Sequence, residues 1–410
     1  MRTKSSLVLV FLVLFALVAS AGCSGKPASA PKEGGEGATY KIGFIAAITG
    51  GASFLGEPER DVALMIKERL EEQGGILGPD GVKHPVEIVI HDTEGSGDVA
   101  ITVVKKLIND EKVIAIVGPT RSPVSMALIP VIQEAGVPAI SMGSSSAIVK
   151  PVAEREWIFK VAQSNEHTAP WQVKYAKAKG LTKIANIYVD NAYGEDGAEA
   201  IRETAEAEGV EIVLEETFAA DDTDMTAQLT KINASEAQAV LVTAIPPAAA
   251  IFTKQYREMN VGLPLVHNSG VAMKPFIDLA GEEAAEGVVF PMGKLVAADA
   301  LDDDDPQKEE LQEFISAYEN YTGDPPSTFA GHSWDAIHIL LRVFESLPND
   351  LSLEEQRVQT REGIESLQGF VGVDGVFNFS ADDHVGLSTD DVVLARITGG
   401  DWEYFPQEAW

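Results

Sequence analysis

Short runs rich in Ile, Val and Ala alternate with helix-length amphipathic segments along most of this chain, and few folds accept that alternation. Ile42 to Ile48 is a β-rich run ending in Thr49-Gly50-Gly51. The next segment reads as a helix. Pro58 suits its first turn, Glu57, Glu59 and Asp61 suit its positive end, and Val62, Met65, Ile66 and Leu70 share one face. Gly74 and Gly75 stop it. Val86 to Ile90, Val113 to Val117 and Val137 to Ser141 read as further strands, with helices over Val99 to Ile108 and from Ser122-Pro123 onward. After residue ~165 the pattern resumes with strands at Ile184 to Val189, Glu211 to Leu214, Ala239 to Thr243 and Leu263 to Val266. Helices are expected near 195–208, 225–234 and 247–259, and over most of 306–347; short strands and turns return from Gly375 to Phe405. Strands that alternate with helices form parallel sheets covered on both faces. The chain therefore predicts an α/β protein with two such sheets in succession, and residues 39–410 are too many for one core.

The start of the chain has a different character. Arg2 and Lys4 precede an unbroken apolar run from Leu7 to Ala19, followed by Ser20, Ala21, Gly22 and Cys23. That is the layout of a secretory signal peptide over residues 1–22. At ~1.5 Å per residue the run spans ~20 Å, short of the ~30 Å hydrocarbon core. Cys23 is the only cysteine, so no disulfide can form within the chain. Residues 23–38, rich in Gly, Pro, Ala, Ser and Lys, read as a flexible tether.

Sixty-three acidic residues against 31 basic ones give a net charge of −32. Removing residues 1–22 takes away two positive charges and leaves about −34. Such a balance argues against nucleic-acid binding. The surface reads either as an ordinary solvated one or as adapted to salty surroundings, which screen self-repulsion. Asp302 to Asp305 reads as a solvated loop before a helix, because it lacks the spaced ligands and central glycine of an EF-hand loop. The chain has no G-x-G-x-x-G, P-loop or H-E-x-x-H motif. His332 and His338 would not share a helical face, and Gly331-His332-Ser333-Trp334-Asp335 is not a nucleophile elbow. No cofactor, metal or catalytic residue is expected, and binding is favoured over catalysis.

Several segments, in order, resemble the branched-chain amino-acid-binding family of ABC-importer solute receptors, the type I periplasmic binding fold. They are Ile42-Gly43-Phe44 through Thr49-Gly50 to Gly56; His91-Asp92-Thr93 leading into Val113 through Pro119; Gly136 through Ser141; and Tyr188 through Gly194. Tyr318 through Gly323, Pro325-Pro326, Trp334-Asp335-Ala336 and Phe377 through Gly386 complete the series. The resemblance implies two Rossmann-like lobes joined by three crossings near residues 163, 291 and 382. The N-terminal lobe would comprise 39–163 and 292–382, and the C-terminal lobe 164–291 and 383–410. Ligand would sit between the lobes and favour their closure by hinge motion. Implied partners are a small-molecule ligand, the permease subunits of an ABC importer, and a membrane reached through lipidated Cys23 in a lipobox-like context, although Ser20 replaces the usual large aliphatic residue. The protein would act as an extracytoplasmic monomer. A ligand-sensing receptor module is the competing reading, but neither a second apolar span nor a signalling domain is seen before Trp410.

Ligands of α/β lobes bind beyond the carboxyl ends of strands. Gly118 to Ser122 is such a turn, with Ser122 placed to cap a helix whose free N–H groups suit a carboxylate. By family position Gly143 (carbonyl) and Ser145 (hydroxyl) should meet the ligand's polar head, with Ser144 pointing elsewhere, and Tyr193 should cover the ligand. Family members that bind free amino acids commonly use an acid of the second lobe for the ammonium; the matching position here is Ser269. Aromatic positions correspond to Ile245 and Leu55. Either Asp190 or Glu166 substitutes for the acid, or the ligand carries no ammonium, since an unpartnered buried charge is costly. A branched-chain or other apolar amino acid is the leading expectation, with a small carboxylate, amide or urea as the alternative.

Overall fold

The computed structural model describes residues 37–410. Cys23, the signal segment and nearly all of the tether lie outside the described residues.

Five parallel strands form the first sheet, in the order Val86–Asp92, Tyr40–Ala46, Ala115–Val117, Ala139–Ser141 and Ile158–Lys160. The second sheet has seven. Glu211–Phe218, Lys183–Val189, Ala239–Thr243, Leu265–His267 and Val289–Gly293 run parallel, and Val392–Thr398 and Asp401–Tyr404 add antiparallel at the far edge. The α/β architecture with two mainly parallel sheets is thus the one the alternation predicts. The helices Lys308–Thr322 and Thr328–Phe344 return to the core beneath the first sheet through Leu311, Phe314, Trp334 and Leu340. The chain therefore passes between the two cores after Val161, after Gly293 and after Leu387.

The strands are short and aliphatic because both faces are covered: Ala115–Val117 and Ala239–Thr243 are buried throughout. The turn after Ala115–Val117 demands glycine. Gly118 has φ +95°, and a Cβ there would lie 2.0 Å from the Ile45 carbonyl oxygen, so the strand can turn into the cleft only without a side chain.

The first helix differs from expectation. It spans Ser53–Gln73, so Pro58 lies inside it and its first turn holds no acid. The helix starts directly after the Gly50-Gly51 turn, which carries Glu59 round to the buried face. The helix Asn165–Ala178 and the three-residue strand Ile158–Lys160 were not marked by the sequence pattern. Asp302 to Asp305 is a loop whose acids pair with Lys294 and Lys308 ahead of the helix Lys308–Thr322.

Candidate functional site

The carboxyl ends of the two sheets face each other across a cleft. It encloses a cavity with about 40 Å³ of space for the centres of water molecules, room for roughly three waters. Leu55, Thr120, Arg121, Ser122, Ser144, Thr328, Phe329 and His332 line it from the first sheet's side. Asn191, Tyr193, Ile245, Ser269 and Gly270 line it from the second, and Gln163 from the segment between.

Five of the seven expected ligand-binding residues meet at this cavity: Ser122, Tyr193, Ser269, Leu55 and Ile245. Gly143 and Ser145 stand behind the lining. A Cβ on Gly143 would lie 3.3 Å from Ser122 Oγ, and the Ser145 N–H donates to Ser122 Oγ at 3.2 Å. Ser145 Oγ is fully buried with no hydrogen-bond partner among the described residues. Ser144, expected to point away, contributes to the lining instead. Ser145 directly precedes the short helix Ser146–Ile148 and is buried behind Ser144.

Ser122 is the first residue of its helix and not its cap; Arg121 takes that position without a side-chain capping bond. The N–H groups of Val124 and Ser125 both bond to the Arg121 carbonyl, and Pro123 has none, so Ser122 N–H is the donor left open. Since Ser122 Oγ already accepts from Ser145, its own proton is available to a ligand acceptor. Beneath it, Ser125 and Ser141 share a hydrogen bond of 2.8 Å, and Ser125 Oγ donates to the Pro119 carbonyl at 3.1 Å, which pins the turn.

Arg121 donates to the Gly95 carbonyl at 2.7 Å and has no carboxylate partner among the described residues. Burial lowers its affinity for its proton. No acidic side chain lines the cavity. The two acids expected to replace the missing one lie elsewhere: Glu166 pairs with Lys150 at 2.5 Å, and Asp190 is exposed. Tyr193 follows the Asn191 cap, whose side chain accepts from Tyr193 N–H at 3.0 Å and from Gly194 N–H at 3.3 Å. Its hydroxyl accepts from Gly270 N–H at 3.2 Å, and burial pushes the phenol above its usual range.

The pattern did not mark Thr120, Gln163, Asn191, Gly270, Thr328, Phe329 or His332 as site residues. Thr328 to His332 open a helix after Pro325-Pro326, and nothing local signals that this turn faces a cleft 200 residues away in sequence.

Contacts across the cleft complete the geometry. Asp196 accepts from Ser146 N–H at 3.0 and 3.1 Å and from Ser146 Oγ at 2.5 Å. Asn165 Nδ2 donates to Asp196 Oδ2 at 2.8 Å, fixing the carboxylate. Leu55 and Phe329 pack among the buried residues of the second sheet's side.

Two α/β halves that meet over a small cavity, with polar donors at strand ends, define a solute receptor of the Venus-flytrap kind. The chain belongs to the periplasmic binding protein family, whose model matches residues 39–401. It is 24% identical over 335 residues to a leucine-, isoleucine-, valine-, threonine- and alanine-binding protein of Pseudomonas aeruginosa, covering 81% of this chain and 83% of that one. An extracellular ligand-binding receptor from Rhodopseudomonas palustris superposes with a TM-score of 0.81 at 26% identity, over 90% of this chain and 99% of that one. A branched-chain amino acid transporter substrate-binding protein from Streptococcus pneumoniae, solved with isoleucine, superposes with a TM-score of 0.76 at 25% identity, over 90% and 99%. The protein is a solute-binding protein of the periplasmic type, not an enzyme, and its family, which includes receptors named for branched-chain amino acids, works outside the cytoplasm. Among the described residues no helix is long and apolar enough to cross a membrane.

Proposed function

We propose that this protein is the receptor of an ABC importer and that it captures a small, mainly apolar carboxylate that carries no ammonium group. The observation that carries this reading is the cavity's charge: Arg121 faces it without a carboxylate partner among the described residues, and no acid lines it. An anion is met there by the guanidinium, Ser122 N–H and Ser122 Oγ, while Leu55, Ile245 and Phe329 offer an apolar wall. An ammonium would find no carboxylate in the cavity wall to contact directly, at a cost of several kcal/mol. The second reading is a branched-chain amino acid, favoured by the relatives named for those ligands. Isothermal titration with leucine, 4-methylpentanoate and benzoate separates the two. Binding of the carboxylates supports the first reading, and binding of leucine alone replaces it with the second.

The head-group contacts are testable residue by residue. A hydrogen bond to a charged group contributes roughly 1.5–3 kcal/mol, so Ser122→Ala should weaken carboxylate binding about 10- to 150-fold. Arg121→Gln should cost at least as much, because the neutral amide leaves the anion without a counter-ion. Unchanged titrations for both variants would place the head group elsewhere.

The membrane attachment rests on sequence: a lone cysteine follows a cleavable apolar run. Cys23→Ser should release the protein from membranes or leave the precursor uncut. An unmodified Cys23 thiol in the mature wild-type protein, seen by mass spectrometry, ends the lipoprotein reading.

A further inference from the structure

His332 stands at the end of a buried relay that has no role in holding an anion. Asp335, fully buried, accepts the N–H of Val373 and of Asp374, each at 2.7 Å. The same loop is held by Gln307, whose Nε2 donates to the Gly372 carbonyl at 3.0 Å and the Val373 carbonyl at 3.2 Å. Gln163 Nε2 donates to the Asp374 carbonyl at 2.5 Å. So fixed, the Asp374 carboxylate accepts from His332 Nδ1 at 2.6 Å, with both side chains at least 95% buried. Phe329 packs edge-on against the imidazole, 5.6 Å between ring centres. His332 lines the cavity, and its Nε2 has no hydrogen-bond partner among the described residues.

A carboxylate at Nδ1 settles the tautomer. The carboxylate takes the proton on Nδ1, so in the neutral form of the ring the lone pair is the one on Nε2, the nitrogen left to the cavity. An acceptor inside a cavity that otherwise offers Arg121 and Ser122 as donors makes the site two-ended. A ring held this firmly, with its second nitrogen left over, suits recognition better than packing, because a packing role needs no aligned carboxylate and no braced loop behind it.

We propose that His332, positioned by Asp374, determines specificity by accepting a hydrogen bond from the ligand, and that the captured carboxylate therefore bears a hydroxyl group. This rests on the carboxylate reading above and adds to it the class: a hydroxycarboxylate and not a plain fatty or aromatic acid.

The test uses matched compounds that differ by one group, titrated by calorimetry: 4-methylpentanoate, 2-hydroxy-4-methylpentanoate and leucine, with benzoate and its three hydroxybenzoates as an aromatic set. Wild-type protein should bind a hydroxylated member at least about tenfold more tightly than its plain counterpart, the scale of one hydrogen bond to an otherwise unpaired buried group. His332→Phe should remove that preference while keeping binding of the plain acid, and His332→Gln, whose amide oxygen can accept, should restore part of it. Asp374→Ala should reduce the preference without abolishing plain-acid binding. Equal binding of hydroxylated and plain acids, or a preference that survives His332→Phe, overturns the role of His332 while leaving the carboxylate reading intact. Binding of leucine alone overturns both. Circular dichroism of each variant guards against misfolding. If His332→Phe does not fold, the plain-against-hydroxylated comparison on the wild type still decides.

Discussion

Asp196→Ala should weaken ligand binding about 30-fold although Asp196 does not line the cavity. The carboxylate reaches across the cleft to the first residue of the short helix Ser146–Ile148, taking Ser146 N–H and Ser146 Oγ. It is aimed by Asn165, which donates to it and also to the Tyr193 carbonyl at 3.1 Å. These bonds exist only when the halves are together, so they stabilise the closed form and not the open one. A charged hydrogen bond at a half-buried site contributes about 2 kcal/mol. Removing that from the closed state lowers the competent fraction, and apparent affinity falls by the same factor. Asp196→Asn should lie between, because its amide oxygen still accepts. At one subsaturating ligand concentration, small-angle scattering of Asp196→Ala should show a larger radius of gyration than wild type, and saturating ligand should bring the two profiles together. Wild-type affinity in Asp196→Ala would mean that closure does not depend on this contact.

Several features of the molecule explain why parts of it were readable in the sequence and others were not. The sheets were readable because the central strands are short aliphatic runs, several of them closed by a glycine turn such as Gly118, a local pattern that survives in any context. Ser122 and Tyr193 were readable for the same reason: each opens a helix straight after a strand, and that position fixes where it faces. The helix Asn165–Ala178 was hidden because Pro170 interrupts it and its buried face includes Asn165, Thr168 and Gln172, so no apolar stripe announces it. The first helix was begun too late because proline is commoner in a first turn than inside a helix. Ser144 lines the cavity and Ser145 is buried behind it, a difference that a run of identical residues cannot announce. His332 owes its place to Asp374, 42 residues on in the chain, and to a loop braced by Asp335 and Gln307. Relations of that kind exist only after folding.

Glu59 supplies the largest expected effect on stability, and its sign follows from its burial. The residue is fully buried in the first helix; its Oε1 accepts from Thr120 Oγ1, and its Oε2 has no partner among the described residues. Burial pushes its carboxyl up to about 8. The unfolded chain, with a value near 4.5, loses this proton first as pH rises, so between about pH 5 and pH 8 the folded state holds more protons than the unfolded one. Stability from this group is complete at low pH and is lost as pH rises toward 8, by roughly 3–5 kcal/mol in all. Other groups titrate nearby with the opposite sign. Burial holds His267 down to about 3 and His338 and His167 down to about 4, so their contribution is lost as pH falls from about 6.5. Lys160, lowered to about 7 by burial, recovers stability as pH rises above that value. The raw pH profile therefore mixes these terms, and the difference between wild type and Glu59→Gln isolates one. The amide carries no titrating proton and can still bond Thr120, so the variant should gain on wild type steadily from pH 5 to 8 in urea unfolding. Because Thr120 lines the cavity, saturating ligand should leave that difference in place while raising both curves. A difference that stays constant across this range would show that Glu59 is ionised in the folded protein and that the first helix meets the strand turn at Thr120 in some other way.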